Sequence, residues 1–339
     1  MFVDRFRRVS RGINFATLAS LAACASSPQS GEGTNKGKAA AAPQSIALKF
    51  DWGTELDVNV VALREEFNAA ESGRVTKLEA RFHLHAVREG DRYALAFSDL
   101  TMSLDGKAVP EGAQPGMLGP ITGLVLSYNI AGNGDFISLR DLDRLQNFTE
   151  GTYLAQNGRL RSEERPSQRN SDRAMKSGSS AEVLELEASR TWGALAGLWT
   201  GLRLTQGKPI TSDSAVTVPI INSPLTLRTS FQMVRREECA KGERRQSCVR
   251  LSATSHPDPV QLAAALERLR QSTGDVEPIS GGLNIEDRYE LLTDPDTLKP
   301  QWAQWTRGAD VSGLENGKSR VQGRQTTRTT MTFDYSGKR

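Results

Sequence analysis

Aromatic residues make up only 6% of this 339-residue chain and apolar residues 37%. Both proportions are lean for a globular protein and imply a large polar loop fraction. Near the amino terminus the apolar-to-small run from Ile13 to Ala23 is eleven residues long. That is too short to cross a bilayer as a helix, which takes ~20 residues. The signatures of common hydrolases are missing: there is no Gly-x-Ser-x-Gly, no Ser-x-x-Lys with its companion motifs and no His-Glu-x-x-His. Gly132-Asn133-Gly134-Asp135 lacks the spaced acidic ligands and distal glutamate of a calcium loop. Asp141 and Asp143 stand two apart on an expected helix and so face different ways. No catalytic residue, metal site or cofactor is assigned, and the chain is read as non-enzymatic.

What is present is a repeated strand pattern. Ile46, Leu48, Phe50 and Trp52 alternate with polar residues, Gly53 permits a bend, and Leu56, Val58 and Val60 resume the alternation. One long bent strand accounts for the run. Leu78, Ala80, Phe82, Leu84 and Ala86 then share a face opposite Glu79, Arg81, His83 and His85. Turns at Glu89-Gly90-Asp91, Asp105-Gly106 and Asn133-Gly134 separate Tyr93–Leu104, Leu124–Ile130 and Phe136-Ile137 into an antiparallel meander with one wet face.

Helices are expected next. Ser138 is placed to cap one carrying Leu139, Leu142, Leu145 and Phe148. Residues 159–180 read as a mobile, serine- and arginine-rich loop. Ser179 with Glu182 then opens a helix running to about Leu204, with Leu184, Ala188, Trp192, Leu195, Trp199 and Leu202 along one side. Gly193, Gly197 and Gly201 form a small-residue stripe on it that suits close packing on a sheet.

Strands return with Leu225, Leu227, Phe231 and Met233, then Val249, Leu251 and Ala253. Asp258-Pro259 starts a helix over 260–270, N-cap followed by N1. A hairpin turning at Asp294-Pro295-Asp296-Thr297 and a final strand over 327–335 complete the chain. The class is α+β: curved antiparallel sheet packed with a few helices.

Arg5, Arg7, Arg8 and Arg11 precede the Ile13–Ala23 run, and Leu21-Ala22-Ala23-Cys24 closes it. This pattern resembles the lipobox of bacterial lipoproteins. The resemblance implies a signal peptide over 1–23, a diacylglyceryl and acyl (palmitate) modification at Cys24, and a lipid-anchored mature protein. Ala25, standing where an aspartate would favour inner-membrane retention, implies the outer membrane of a Gram-negative cell, with the domain on the periplasmic face. Several acyl chains on one cysteine suffice for lasting attachment. Residues 24–44 are then a disordered tether, and 45–339 form the globular domain, or two subdomains (45–137 and 208–339) joined by helices over 138–207.

Residues 1–23 hold four arginines and one aspartate of the chain's 43 basic and 40 acidic residues, so 39 of each remain from Cys24 onward. A neutral chain offers no electrostatic reason to bind nucleic acid. Cys239 and Cys248 become a self-sufficient pair, expected as a disulfide in an oxidising envelope. His83 and His85 point the same way, as metal-binding pairs do, with His256 or a nearby carboxylate as a third ligand; an ordinary solvated face is the preferred reading.

The pattern of bent strand, meander, Trp-bearing helix and Asp294–Pro300 turn is similar to curved-sheet envelope lipoproteins such as the lipoprotein-localisation factors. That similarity implies an apolar cavity between sheet and helix. No motif specific to those factors is matched, so no functional residue is carried over. Trp192, Trp199 and Leu195 are the candidate ligand-binding residues on physical grounds. The expected function is a non-enzymatic lipoprotein binding a lipid or other apolar ligand. The alternative is an interaction lipoprotein docking on envelope proteins through charged loops such as 235–250.

Overall fold

A computed structural model describes residues 45–69, 75–109, 127–140, 181–218, 223–239, 247–273, 282–315 and 318–336. Outside them lie residues 1–44, where the signal peptide, Cys24 and the tether were expected, residues 159–180, the expected helix from Leu142 to Phe148, and residues 240–246 between the two cysteines.

Antiparallel strands dominate. They are β1 (Ser45–Ala47), β2 (Glu55–Asn68), β3 (Val75–Glu89), β4 (Arg92–Leu104), β5 (Lys107–Ala108), β6 (Tyr128–Ala131) and β7 (Phe136–Leu139) in the first half. Helix α1 (Ala181–Trp192) runs into a π-helical turn, Gly193–Gly197. Then come β8 (Arg203–Thr205), β9 (Ile210–Val218), β10 (Ser223–Glu238), β11 (Ser247–Pro257), helix α2 (Pro259–Thr273), β12 (Leu283–Thr293), β13 (Pro300–Glu315) and β14 (Lys318–Asp334).

Twelve strands form one open sheet in the order β7-β6-β4-β3-β2-β14-β13-β12-β11-β10-β9, with β5 hydrogen-bonded to β4. The last strand joins the first: Val60 of β2 pairs with Phe333 of β14 on one side and Phe82 of β3 on the other. The strand blocks of 45–137 and 208–339 thus share one ladder. Alternation decides the faces. Leu56, Val58, Val60 and Ala62 of β2, and Leu78, Phe82 and Leu84 of β3, are buried on one side. The buried residues of β10 to β14 continue that side through the register. Both helices pack on it, α1 and its π turn against β7, β12 and β13, and α2 against β10 and β12.

Several expectations hold. Asp105 and Gly106 turn with φ of +48° and +79°, the positive pair a type I′ hairpin demands. Asp258 caps α2 by accepting from the Val260 and Gln261 N–H groups at 3.0 and 2.9 Å.

Others need correction. The run from Ile46 to Val60 is not one strand. Gly53, at φ +77°, ends a segment that pairs β1 with β8 rather than with the large sheet, and β2 begins beyond it. The helix expected to reach Leu204 stops at the π turn. Gly201 N–H donates to Leu48 O at 3.1 Å and Leu48 N–H to Leu202 O at 2.9 Å, so residues 201–205 are drawn into pairing with β1 and Leu48 beyond it. Ser138 does not cap a helix: it and Leu139 belong to β7, and the Ser138 hydroxyl accepts from Asn129 Nδ2 at 3.1 Å. Among the described residues the protein is mostly antiparallel sheet, with two helices.

Candidate functional site

The residues proposed to meet a ligand lie where α1 and its π turn meet the sheet. Trp192, Leu195 and Trp199 are all buried, at 1%, 3% and 0% exposure. Each indole has a polar partner, as a buried Trp requires. Trp192 Nε1 donates to Gly134 O in the β6–β7 turn at 2.8 Å, and Trp199 Nε1 donates to Ala194 O at 3.2 Å. Trp192 makes edge contacts with Phe50 and Trp52, ring centroids 5.5 and 5.3 Å apart. Trp199 sits 6.0 Å from the Phe231 ring of β10, also edge-on.

Two glycines permit this packing. A Cβ on Gly197 would stand 2.9 Å from Cδ1 of Trp192, and one on Gly134 would stand 2.7 Å from Thr200 Oγ1. Of the Gly193, Gly197 and Gly201 stripe, therefore, Gly197 serves contact with an indole of its own helix and Gly201 (φ +76°) ends the helix. The segment from Leu48 to Trp52 closes over the seam. Lys49 and Asp51 N–H groups donate to Pro295 O and Thr297 O, both at 3.1 Å, and Trp52 Nε1 donates to Leu298 O at 3.2 Å. That is the Asp294–Thr297 turn, so the first strand is held to the last third of the chain.

The apolar face is divided by a polar row that sequence reasoning missed. Thr229, Ser255, Asp287, Arg307 and Thr327 stand opposite one another across five strands. Arg307 meets Asp287 bidentately, Nε to Oδ1 and Nη2 to Oδ2 at 2.6 Å each, and Thr229 Oγ1 donates to Ser255 Oγ at 3.0 Å. Beyond the row, Leu225 and Ile285 pack under Leu262 and Ala265 of α2 as a separate cluster. In the sequence each of these polar residues is an isolated break in an alternating strand. Only the register aligns them.

On the other, polar face, His83 and His85 point the same way, as alternation requires. His256 does not join them: it lies on β11, five strands away in the sheet order, with Nε2 3.6 Å from Glu286 Oε2. Their neighbour is Asp57 of β2, which accepts a hydrogen bond from His85 Nδ1 and has His83 Nε2 at 3.3 Å. The His85 hydrogen bond above all, and then that of His83, holds the Asp57 carboxyl down to about 2, against the opposing pull of burial. The signal for Asp57 was in the sequence, as the Glu55-x-Asp57 alternation of the preceding strand.

Cys239 and Cys248 form a disulfide with Cα atoms 5.0 Å apart at the end of the β10–β11 hairpin. No described helix is long and apolar enough to cross a membrane.

No protein-family model matches the chain and no curated protein matches it. Among solved structures it is similar to one described as lipid–protein interactions in lipovitellin, at 8% identity, with 86% of this chain and 25% of that one covered and a TM-score of 0.38. The chain therefore spans about a quarter of that protein's length. A likeness of this degree transfers neither a ligand nor a residue's role.

Proposed function

We propose that the protein is a lipid-anchored envelope module, acylated at Cys24 and held at the periplasmic face of an outer membrane. It is non-enzymatic and binds a lipid or another apolar ligand between the sheet and α1. The anchor rests on Leu21-Ala22-Ala23-Cys24 and the basic, apolar segment before it.

The observation that carries the ligand is the seam at Trp192 and Trp199. Both indoles stand between α1 with its π turn and the only extensive apolar face among the described strands. The sheet is open rather than curled into a cup, and the seam draws on both parts of it: Trp192 reaches the β6–β7 turn and Trp199 reaches Phe231 of β10. The row from Thr229 to Thr327 adds a polar border to that face, the division that an amphipathic ligand requires. Because the seam is filled by the protein's own side chains, an acyl chain must displace α1 or the Leu48–Trp52 segment to enter.

Two measurements test this. Grown with a clickable palmitate analogue in a Gram-negative host, the wild-type chain should label and Cys24→Ala should not; equal labelling overturns the anchor. Phospholipid with brominated acyl chains should quench the tryptophan fluorescence of the full chain, and quench the Trp192→Phe/Trp199→Phe variant less. Wild-type fluorescence unaffected by brominated lipid overturns the ligand reading.

A further inference from the structure

Carboxylates on the polar face of the sheet are generally met by a permanent cation. Glu79 lies 2.8 Å from Arg81, Asp213 3.0 Å from Arg228 and Asp310 2.7 Å from Arg324. Beside the Gly53 bend, two carboxylates meet two imidazoles. The β2–β3 register sets Asp57 opposite His85, with Glu55 and His83 on the two diagonals. The flanking positions on that face are Val87 and Arg81 on β3, Asn59 on β2 and Asp334, which pairs with Asn59 from β14; Arg81 is held by Glu79 at 2.8 Å. Imidazole and carboxylate donors from two adjacent strands thus meet at one point of the polar face.

The spacing suits a metal ion. One donor atom each from Glu55, Asp57 and His85 lies within 4.8 Å of the others. His83 Nε2 is 3.3 Å from Asp57 Oδ1, and His85 Nδ1 is 4.0 Å from Glu55 Oε1. Ligand atoms placed ~2.0–2.1 Å from a tetrahedral zinc ion stand about 3.3 Å from each other. The four side chains are 25–52% exposed, so water and a solvated ion have access. Their backbones are held by consecutive pairs of one antiparallel ladder, which fixes the approach of all four. Mixed imidazole and carboxylate donors favour late first-row divalent ions over calcium or magnesium, which prefer oxygen alone.

We propose that Glu55, Asp57, His83 and His85 form a binding site for a divalent transition-metal ion of the zinc class on the outer face of the sheet. The site is independent of the lipid reading. The ion bridges β2 to β3 through these side chains.

The test is calorimetric titration of zinc chloride into the full-length chain carrying Cys24→Ser, which leaves no thiol outside the disulfide to compete. One equivalent should bind with a micromolar or tighter Kd. His85→Ala and Asp57→Ala should each weaken binding at least tenfold, and His83→Gln should weaken it too. His256→Ala, which removes the only histidine elsewhere in the chain, should leave binding unchanged. Far-UV circular dichroism like that of the parent assures that the variants fold. In addition, excess zinc should raise the parent's thermal midpoint, an effect that EDTA reverses. No stoichiometric binding by the parent, or full binding by a His83→Gln/His85→Ala chain, overturns the proposal.

Discussion

Gly134 is the most exposed point of the structural argument, because α1, the β6–β7 turn and the Leu48–Trp52 segment meet there. Its carbonyl accepts the Trp192 indole at 2.8 Å. A Cβ at this position would lie 2.7 Å from Thr200 Oγ1 and 2.9 Å from both Cβ and Cγ of Phe50. The Thr200 hydroxyl is itself tied to Ala196 O at 3.1 Å, so it cannot simply swing away. Backbone conformation adds to the clash, since φ is +92°. Positive φ costs an L-residue ~1–2 kcal/mol, and overpacking a filled site adds ~1–3 kcal/mol. Gly134→Ala should therefore destabilise the protein by about 2–5 kcal/mol. Gly90→Ala separates the two effects: φ there is +69° but nothing lies within 4 Å, so only the ~1–2 kcal/mol of backbone cost applies. Equilibrium urea unfolding of the full-length Cys24→Ser chain, followed by tryptophan fluorescence and circular dichroism, measures both. Adding Thr200→Ala to Gly134→Ala should recover part of the loss by removing the nearest atom. If Gly134→Ala costs no more than Gly90→Ala, the turn is not clamped on the helix and the packing described for the seam is wrong.

Two further outcomes follow from the charge pairs. Arg307→Ala leaves Asp287 buried without its bidentate partner and should cost about 3–5 kcal/mol in urea unfolding, whereas Arg307→Met with Asp287→Leu should cost much less; equal losses would mean that the pair is not effectively buried. The hydrogen-bonded guanidinium of Arg324 holds the Asp310 carboxyl below its usual 3.8. Because the folded-state value is the depressed one, this stability is complete above about pH 5 and is lost as pH falls further. Asp310→Asn should therefore be less stable than the parent near neutrality, and the gap should narrow in unfolding curves recorded between about pH 5 and pH 2. A gap that stays constant over that range would contradict the assignment.

Much of the sheet was legible because the evidence for it is local. Period-two alternation marked the buried side of β2 and β3 residue by residue. Asp105-Gly106, Asn133-Gly134 and Asp258-Pro259 did their turning and capping with their own side chains and backbone. The disulfide needed only two cysteines and a short loop. The misreadings share a different cause. Ser138 has the chemistry of an N-cap, but Leu139 pairs with Tyr128 in β7 and is buried there. Residues 201–205 continue a helical apolar pattern, but Leu204 pairs with Ile46, more than 150 positions earlier, and the strand wins.

Alone, the sequence determined most of the strands, their buried and wet faces, the turns that join them and the Leu21-Ala22-Ala23-Cys24 run that resembles a lipobox, all set by residues within a few positions of one another. The tertiary structure decided which strands are neighbours. By pairing β14 with β2 it merged two blocks of strands into one sheet, and by register it aligned Thr229 through Thr327 in a single row. The same registration turned His83 and His85 from two surface histidines into part of a four-residue cluster with Glu55 and Asp57. Such groupings depend on cross-strand hydrogen bonds between distant segments, and no local spacing records them.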